Sequence, residues 1–184
     1  MSTTDRASPN SMSAQALPDP RGFPGAMAIR RATSADRPGL VDIWLRSVQA
    51  THAFLTPHDI DELVGPTSAY LTSDAPELWV VTDASDEPVG FMGLADNEVD
   101  SLFLAPEVHR RGVGRSLIAH AAALRGELTV LVNEQNEGAV RFYESCGFTV
   151  DGRSDVDDDG RPFPILSMRR PADPLDGAVA IRRS

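Results

Sequence analysis

The chain contains no lysine: all 17 of its basic residues are arginine. Schiff-base chemistry and the lysine-bearing nucleotide loops are therefore excluded. A single cysteine, Cys146, rules out an intrachain disulfide framework and a multi-cysteine metal site. The four histidines, His52, His58, His109 and His120, show no clustered ligand spacing, so no metal is expected. No apolar run approaches the roughly 18 residues that cross a bilayer, and residues 1–26 hold no apolar segment of the kind a secretory signal needs. Positive charge is scarce as well: 17 arginines against 27 acidic residues leave a formal charge of −10. Such a surface repels a phosphate backbone, so neither nucleic acid nor membrane is expected as a partner. What is present, 41% apolar and 24% charged residues over 184 positions, is the usage of an ordinary globular domain, read as cytoplasmic.

Residues 1–26 are rich in Ser, Pro and Ala without hydrophobic period and read as a disordered tail. Residues 171–184 read as a second flexible end, leaving 27–170 as one domain. Met27 opens the first patterned segment and is a candidate natural start. Met27 to Arg31 suggests a strand. Thr33 and Asp36 resemble a capping arrangement ahead of Leu40, Ile43, Trp44 and Val48 at helical spacing. Thr56-Pro57 caps a second helix to about Leu71. Leu78–Thr82, Val89–Ala95 and Val99–Leu104 form a meander that Pro106 ends. A helix over Gly112–Leu124, a strand over Leu128–Val132 and a helix over Asn136–Cys146 follow, with Gly147 as a stop. Phe148–Arg153 and Phe163–Met168 close a mixed α/β sheet.

The segment from Leu102 to Arg115 carries the most chemistry. A strand runs into a glycine-containing loop where a helix begins, and the free N–H groups of a helix start favour an anion. Arg110, Arg111 and Arg115 concentrate positive charge there, so a diphosphate is the expected guest; the alternative is a plain helix start with surface arginines. Leu117 stands where a dinucleotide fingerprint requires its third glycine.

Arg110-Arg111-Gly112-Val113-Gly114 resembles the acetyl-CoA loop of the GNAT superfamily of N-acetyltransferases, with His109 at the position that the pattern gives to Gln or Arg. Asn136-Glu137-Gly138-Ala139-Val140-Arg141-Phe142-Tyr143, followed by Gly147-Phe148, is similar to the second half of that signature. The likeness runs from about Met27 to Met168. Thr51-His52-Ala53-Phe54, Asn133 to Asn136 and Gly152-Arg153-Ser154 resemble one small bacterial branch. The resemblance implies a largely antiparallel twisted sheet of about seven strands and four helices, splayed between strands 4 and 5. It also implies acetyl-CoA as co-substrate. Backbone groups of Leu102, Phe103 and Leu104 would meet the pantetheine and acetyl carbonyl, and those of Arg111, Gly112, Val113, Gly114, Arg115 and Ser116 the diphosphate. Asn133, Asn136 and Ala139 would line the same arm, and Tyr143 would stand near the sulfur. Helical spacing separately puts Asn136, Ala139 and Tyr143 on one face. A phenol, with a reference pKa of about 10, gives its proton to a thiolate of about 8.5 only at a cost of roughly 2 kcal/mol, so Tyr143 is expected to act by hydrogen bonding.

An ammonium acceptor must lose a proton before it attacks. Alternation puts Glu98, Asp100 and Leu102 on one side of their strand, so the two acids are either the base or solvent-facing. His52 and His58, at the break between the first two helices, border the acceptor cleft and are either proton shuttles or surface residues. Phe54 and Asp155 join His52 as acceptor-side residues. Asp155, Asp157, Asp158 and Asp159 either draw in a cationic amine or form a solvated turn. Cys146, at a helix end, reads as packing rather than as a nucleophile. These readings converge on direct acetyl transfer to an amine of a small molecule, peptide or protein. A non-catalytic acyl-CoA sensor and an aminoacyl-tRNA acetylating toxin are the alternatives. Residues 27–170 hold 13 arginines and 23 acids, which argues against a tRNA-facing surface. An exposed sheet edge would allow a homodimer.

Overall fold

The computed structural model describes residues 15–16, 27–74, 76–157 and 159–173. The expectations for the two tails fall mostly outside these residues, as does the one for Asp158. Seven strands, β1 (Ala28–Arg31), β2 (Glu77–Thr82), β3 (Pro88–Ala95), β4 (Glu98–Leu104), β5 (Leu128–Asn133), β6 (Thr149–Ser154) and β7 (Ile165–Arg170), form one sheet in the order β1-β2-β3-β4-β5-β7-β6. Every neighbouring pair is antiparallel except β4 and β5. Gln15–Ala16 adds a two-residue strand against β1, inside the segment read as a tail. Composition reports whether a segment can build a core; it is silent about two backbone pairs at an open edge.

The helices are α1 (Arg37–Thr51), α2 (Pro57–Thr72), α3 (Val113–Arg125) and α4 (Glu137–Ser145). Leu40, Ile43, Trp44 and Val48 of α1 are buried against Leu78, Val80 and Phe91 of the sheet, and Leu71 of α2 joins them. Leu117, Ile118 and Ala121 of α3 and Tyr143 of α4 pack on the opposite face with Val81, Met92, Val99, Val130 and Met168. The sheet is thus sandwiched between two helix pairs. Thr56 and Asp59 complete a capping box at the start of α2. At α1 the expected cap takes another form: Asp36 holds the backbone N–H and hydroxyl of Thr33, both at 2.7 Å, and the Arg30 guanidinium. β7 starts at Ile165 rather than Phe163, because Pro164 has no N–H to give the ladder.

Two irregularities make the site. β4 and β5 pair only at Glu98 and Thr129, so beyond that point the sheet parts. On its other side β4 carries a bulge: Val99 faces Leu94, Ser101 faces Gly93, and Asp100 has no partner. The bulge resets the alternation. Val99, Leu102 and Leu104 all meet the α3/α4 core, whereas Asp100 and Ser101 both turn toward α1 and α2. Glu98, Asp100 and Leu102 therefore do not share a side, which corrects the expectation drawn from strict period two.

Candidate functional site

A groove of about 500 Å³ occupies the parting between β4 and β5. Leu102, Phe103 and Leu104 form one wall; Asn136, Ala139 and Tyr143 form the other; His109, Arg110 and Gly112 to Arg115 close one end. Ser47, Thr51 and His52, from the end of α1, cover it. Pairing leaves the β5-facing backbone edge of Leu102–Leu104 without a neighbouring strand, the Leu104 carbonyl being taken by the His109 side chain, while the opposite edge is held by Gly90, Phe91 and Met92.

The α3 end of the groove is built to accept an anion. Gly112 precedes the helix with φ of 82° and brings no capping side chain. The first intrahelical bond runs from the Ser116 N–H to the Gly112 carbonyl at 3.0 Å. The N–H groups of Val113, Gly114 and Arg115 therefore point out of the helix start without a side-chain cap. A side chain at Gly112 would enter open space, whereas one at Gly114 would lie 3.0 Å from the Phe142 ring, so Gly114 lets α3 sit close on α4.

Several side chains expected to touch the ligand are committed elsewhere. Arg115 donates to the Ser145 carbonyl at 2.7 Å and to its hydroxyl at 3.1 Å, stitching α3 to the end of α4; both acceptors are neutral, so its charge stays at the groove end that it lines. The Ser116 N–H is consumed within the helix. His109 donates from Nε2 to the Leu104 carbonyl at 3.0 Å and thereby fixes the turn after β4, at the end of the groove that it also lines. Asn133 accepts the Gln135 N–H at 2.8 Å and lines an adjacent pocket instead of the groove. Asn136 caps α4 through Oδ1, which accepts the Ala139 N–H at 3.0 Å. Its Nδ2 then faces His52 Nε2 at 3.4 Å.

Tyr143 is 6% exposed and wedged edge-on between Phe142 and Phe148, with centroids at 5.1 and 5.3 Å. Burial pushes its phenol well above the ordinary value, and the neighbouring Cys146 adds to the shift. Burial likewise raises the Cys146 thiol, which packs against the main core as expected.

On the α1/α2 side two further cavities meet the groove. One, of about 140 Å³, is lined by His52, Phe54, Asn133, Asp157, Arg161 and Phe163 among others; Phe54 and Phe163 face each other at 6.2 Å. The other, of about 320 Å³, is walled by Trp44, Tyr70, Phe91 and Phe103 and contains Asp100, whose carboxylate accepts the Tyr70 hydroxyl. Phe103 borders this slot and the groove, and His52 borders the small pocket and the groove.

Glu98 and Asp100 are absent from the groove lining. His58 is exposed beside Glu62 at 3.5 Å and lines none of these cavities. The acidic turn is not an open field of charge: Asp155 pairs with Arg153, and Asp157 and Asp159 pair with Arg161 at 2.7 and 2.8 Å. Asp155 is thus tied outside the pocket that Asp157 lines. Ser47, Tyr70 and Arg161 were not picked out from the sequence, and Trp44 and Phe163 were read there only as parts of a helix and a strand. Arg161 and Phe163 sit in a turn whose fold depends on Asp157, which accepts the Arg161 N–H at 2.8 Å.

The family model described as an acetyltransferase (GNAT) domain matches residues 74–150. The peptidyl-lysine N-acetyltransferase YjaB of Escherichia coli (strain K12) is 48% identical over 142 residues, covering 77% of this chain and 95% of that protein. The solution structure of apo YjaB from Escherichia coli superposes with a TM-score of 0.75 at 45% identity, over 80% of this chain and 99% of that one. The PaiA N-acetyltransferase of Thermoplasma acidophilum, solved with coenzyme A, shares the fold at 20% identity and a TM-score of 0.66, over 79% of this chain and 98% of its own.

Proposed function

The chain belongs to the GNAT family of acetyltransferases, an enzyme moving the acetyl group of acetyl-CoA to an amine, and on that premise we propose that its acceptor is a lysine side chain of a peptide or protein. The observation that carries this reading is the groove itself: a donor channel with an amide-rich end, meeting two cavities on the opposite side of β4 at Phe103 and His52. The relative named for peptidyl-lysine acetylation aligns over nearly its whole length, and aromatic walls with a carboxylate suit an alkylammonium chain.

In this reading the N–H groups of Val113 to Arg115 hold the diphosphate. The open backbone edge of Leu102–Leu104 pairs with the pantetheine and the acetyl carbonyl, where a preorganised N–H stabilises the oxyanion. Ala139 and Asn136 wall the same arm. The amine attacks the acetyl carbon directly, the C–N bond forms, and the C–S bond breaks to release the thiolate. Tyr143 donates a hydrogen bond to that sulfur. Its raised pKa widens the gap to a thiol of about 8.5, so the phenol keeps its proton while stabilising the leaving group. The reading carries with it a cytoplasmic location, where acetyl-CoA is made. It leaves room for a homodimer through the open edge of β6, which light scattering would detect.

Incubation with acetyl-CoA and lysine-containing peptides, followed by thiol release and mass spectrometry, tests the reading. Acetyl groups on lysine Nε are the expected result. Turnover confined to free small amines would move the acceptor class, and binding without turnover on any amine would mark a sensor.

A further inference from the structure

We propose that His52 is the base of this reaction, accepting through Nε2 the proton that the acceptor amine loses as it attacks the thioester; the proposal rests on the acetyltransferase reading above. Hydrogen-bond directions at His52 are fixed by groups that have only one choice. The Ser47 carbonyl can only accept, so the Thr51 hydroxyl, 2.7 Å away, gives it its one hydrogen. Thr51 Oγ1 then has only lone pairs left for His52 Nδ1 at 2.8 Å, so Nδ1 carries the ring hydrogen. On the far side the Ala139 N–H takes Asn136 Oδ1, which turns the Asn136 amide donor to His52 Nε2 at 3.4 Å. Both constraints give one tautomer, with the Nε2 lone pair in the groove. Thr51 and Asn136 are positioning residues, and the 3.4 Å contact is long enough for an incoming N–H to replace it.

Place and protonation agree with this role. The ring lies tilted on Phe54 at 5.4 Å and stacked on Phe103 at 6.4 Å, at the boundary of the donor groove and the acceptor pocket. Burial lowers its pKa, a nearby Val48 carbonyl partly opposing, so the imidazole is neutral at pH 7. The other candidates facing this junction are engaged: Asp59 accepts the N–H and hydroxyl of Thr56, Asp157 holds Arg161, and Asp100 holds Tyr70. On the donor side the titratable neighbours are His109, Arg110, Arg115 and Tyr143: the arginines have no lone pair to offer, the Tyr143 phenol keeps its proton, and His109 is bound through Nε2 to the Leu104 carbonyl.

A free lysine ammonium, near 10.4, would lose its proton to an imidazole of at most 6.5 only at a cost of about 5 kcal/mol. The transfer therefore occurs during addition. The small neutral fraction of amine attacks, bonding to the acyl carbon acidifies the nitrogen, and its N–H proton passes to Nε2. The thiolate leaves with the C–S electron pair and takes a proton from water, and the imidazolium returns its own to solvent.

In His52→Gln, kcat should fall about 10²- to 10⁴-fold, the range of general-base losses, with acetyl-CoA affinity by calorimetry unchanged. In wild type kcat/KM should show an acidic limb with a midpoint below 6.5; the variant should lose it. His52→Ala should regain activity with added imidazole, in proportion to its neutral form. Retention of activity within threefold together with the same acidic limb in His52→Gln would overturn the proposal while leaving the acetyltransferase reading intact. A Gln variant that fails to fold leaves the decision to the wild-type limb and to imidazole rescue of His52→Ala, whose joint absence also overturns it. Wild-type protein that binds acetyl-CoA and acetylates no amine would overturn the functional reading at the first step, and the proposal with it.

Discussion

Tyr143 and Asp36 show how one environment sets one residue's chemistry in opposite directions. Burial, with a smaller push from Cys146, raises the Tyr143 phenol and keeps it a donor throughout the working pH range. Tyr143→Phe should lower kcat about 10²-fold, the loss typical of one transition-state donor, and leave acetyl-CoA affinity unchanged; steady-state kinetics beside calorimetry read both. No basic limb from this phenol should appear below pH 10. Asp36 is also largely buried, at 9% exposure, but the Arg30 guanidinium beside it holds its carboxyl at about 2. Folded Asp36 binds a proton less readily than unfolded Asp36, near 3.8. Its stabilisation is therefore complete above about pH 4 and is lost as pH falls toward 2. With Arg30 partly in solvent, the contribution is roughly 1–2 kcal/mol. Asp36→Asn should cost about that much in urea unfolding at pH 7 and nearly nothing at pH 2.

At the scale of elements, the start of α3 joins stability to ligand binding. Gly112→Ala meets no neighbour, yet it forces an L residue to φ of 82° at a cost of about 1–2 kcal/mol. It also puts a methyl group over the exposed amides, so acetyl-CoA affinity should drop at least tenfold; calorimetry and thermal unfolding measure the two effects. Gly114→Ala crowds Phe142 and should destabilise by about 1–3 kcal/mol. These elements were legible because their signals are local: Gly112, Asn136 and Thr56-Pro57 mark helix starts by backbone chemistry alone, and Asn136, Ala139 and Tyr143 share a face by helical period. The bulge at Asp100 was not legible. It depends on Gly93 across the ladder, where a Cβ would come within 2.6 Å of Ser101 Oγ, and period-two reasoning sees only one strand. The commitments of Arg115 to Ser145, thirty residues away, and of Arg153 and Arg161 to the acidic turn escaped for the same reason. Charge counts predicted a steering field at the acidic turn, and pairing through space with Arg153 and Arg161 removed most of it. His52 was legible as a histidine near a cleft, but the placing of its lone pair on Nε2 exists only through Thr51 and Asn136.

For the whole molecule, the missing lysines have a consequence for an enzyme that acetylates amines, with lysine as its proposed acceptor. Acetyl-CoA is an acylating agent, and any surface Nε with a pKa near 10.4 has a small reactive fraction at pH 8. A chain with lysines would slowly acetylate itself, losing positive charge with each event. Here all 17 of the strongly basic side chains are guanidinium groups, which stay protonated because their pKa exceeds 12, so none of them presents a nucleophilic nitrogen. Arginine also makes the forked contacts this fold uses, as Arg30 does with the two oxygens of Asp36 at 2.8 and 3.0 Å. The lone thiol is held back by burial, which raises its pKa and depletes the thiolate. Prolonged incubation with acetyl-CoA at pH 8 should therefore leave the intact mass unchanged apart from at most one acetyl group on the terminal amine, while a lysine peptide in the same tube is modified. Several acetyl groups on the chain would show another nucleophile at work. A −10 charge that cannot drift with acetylation keeps the attraction for a cationic peptide constant, so progress curves should show no slow change in rate that traces to self-modification.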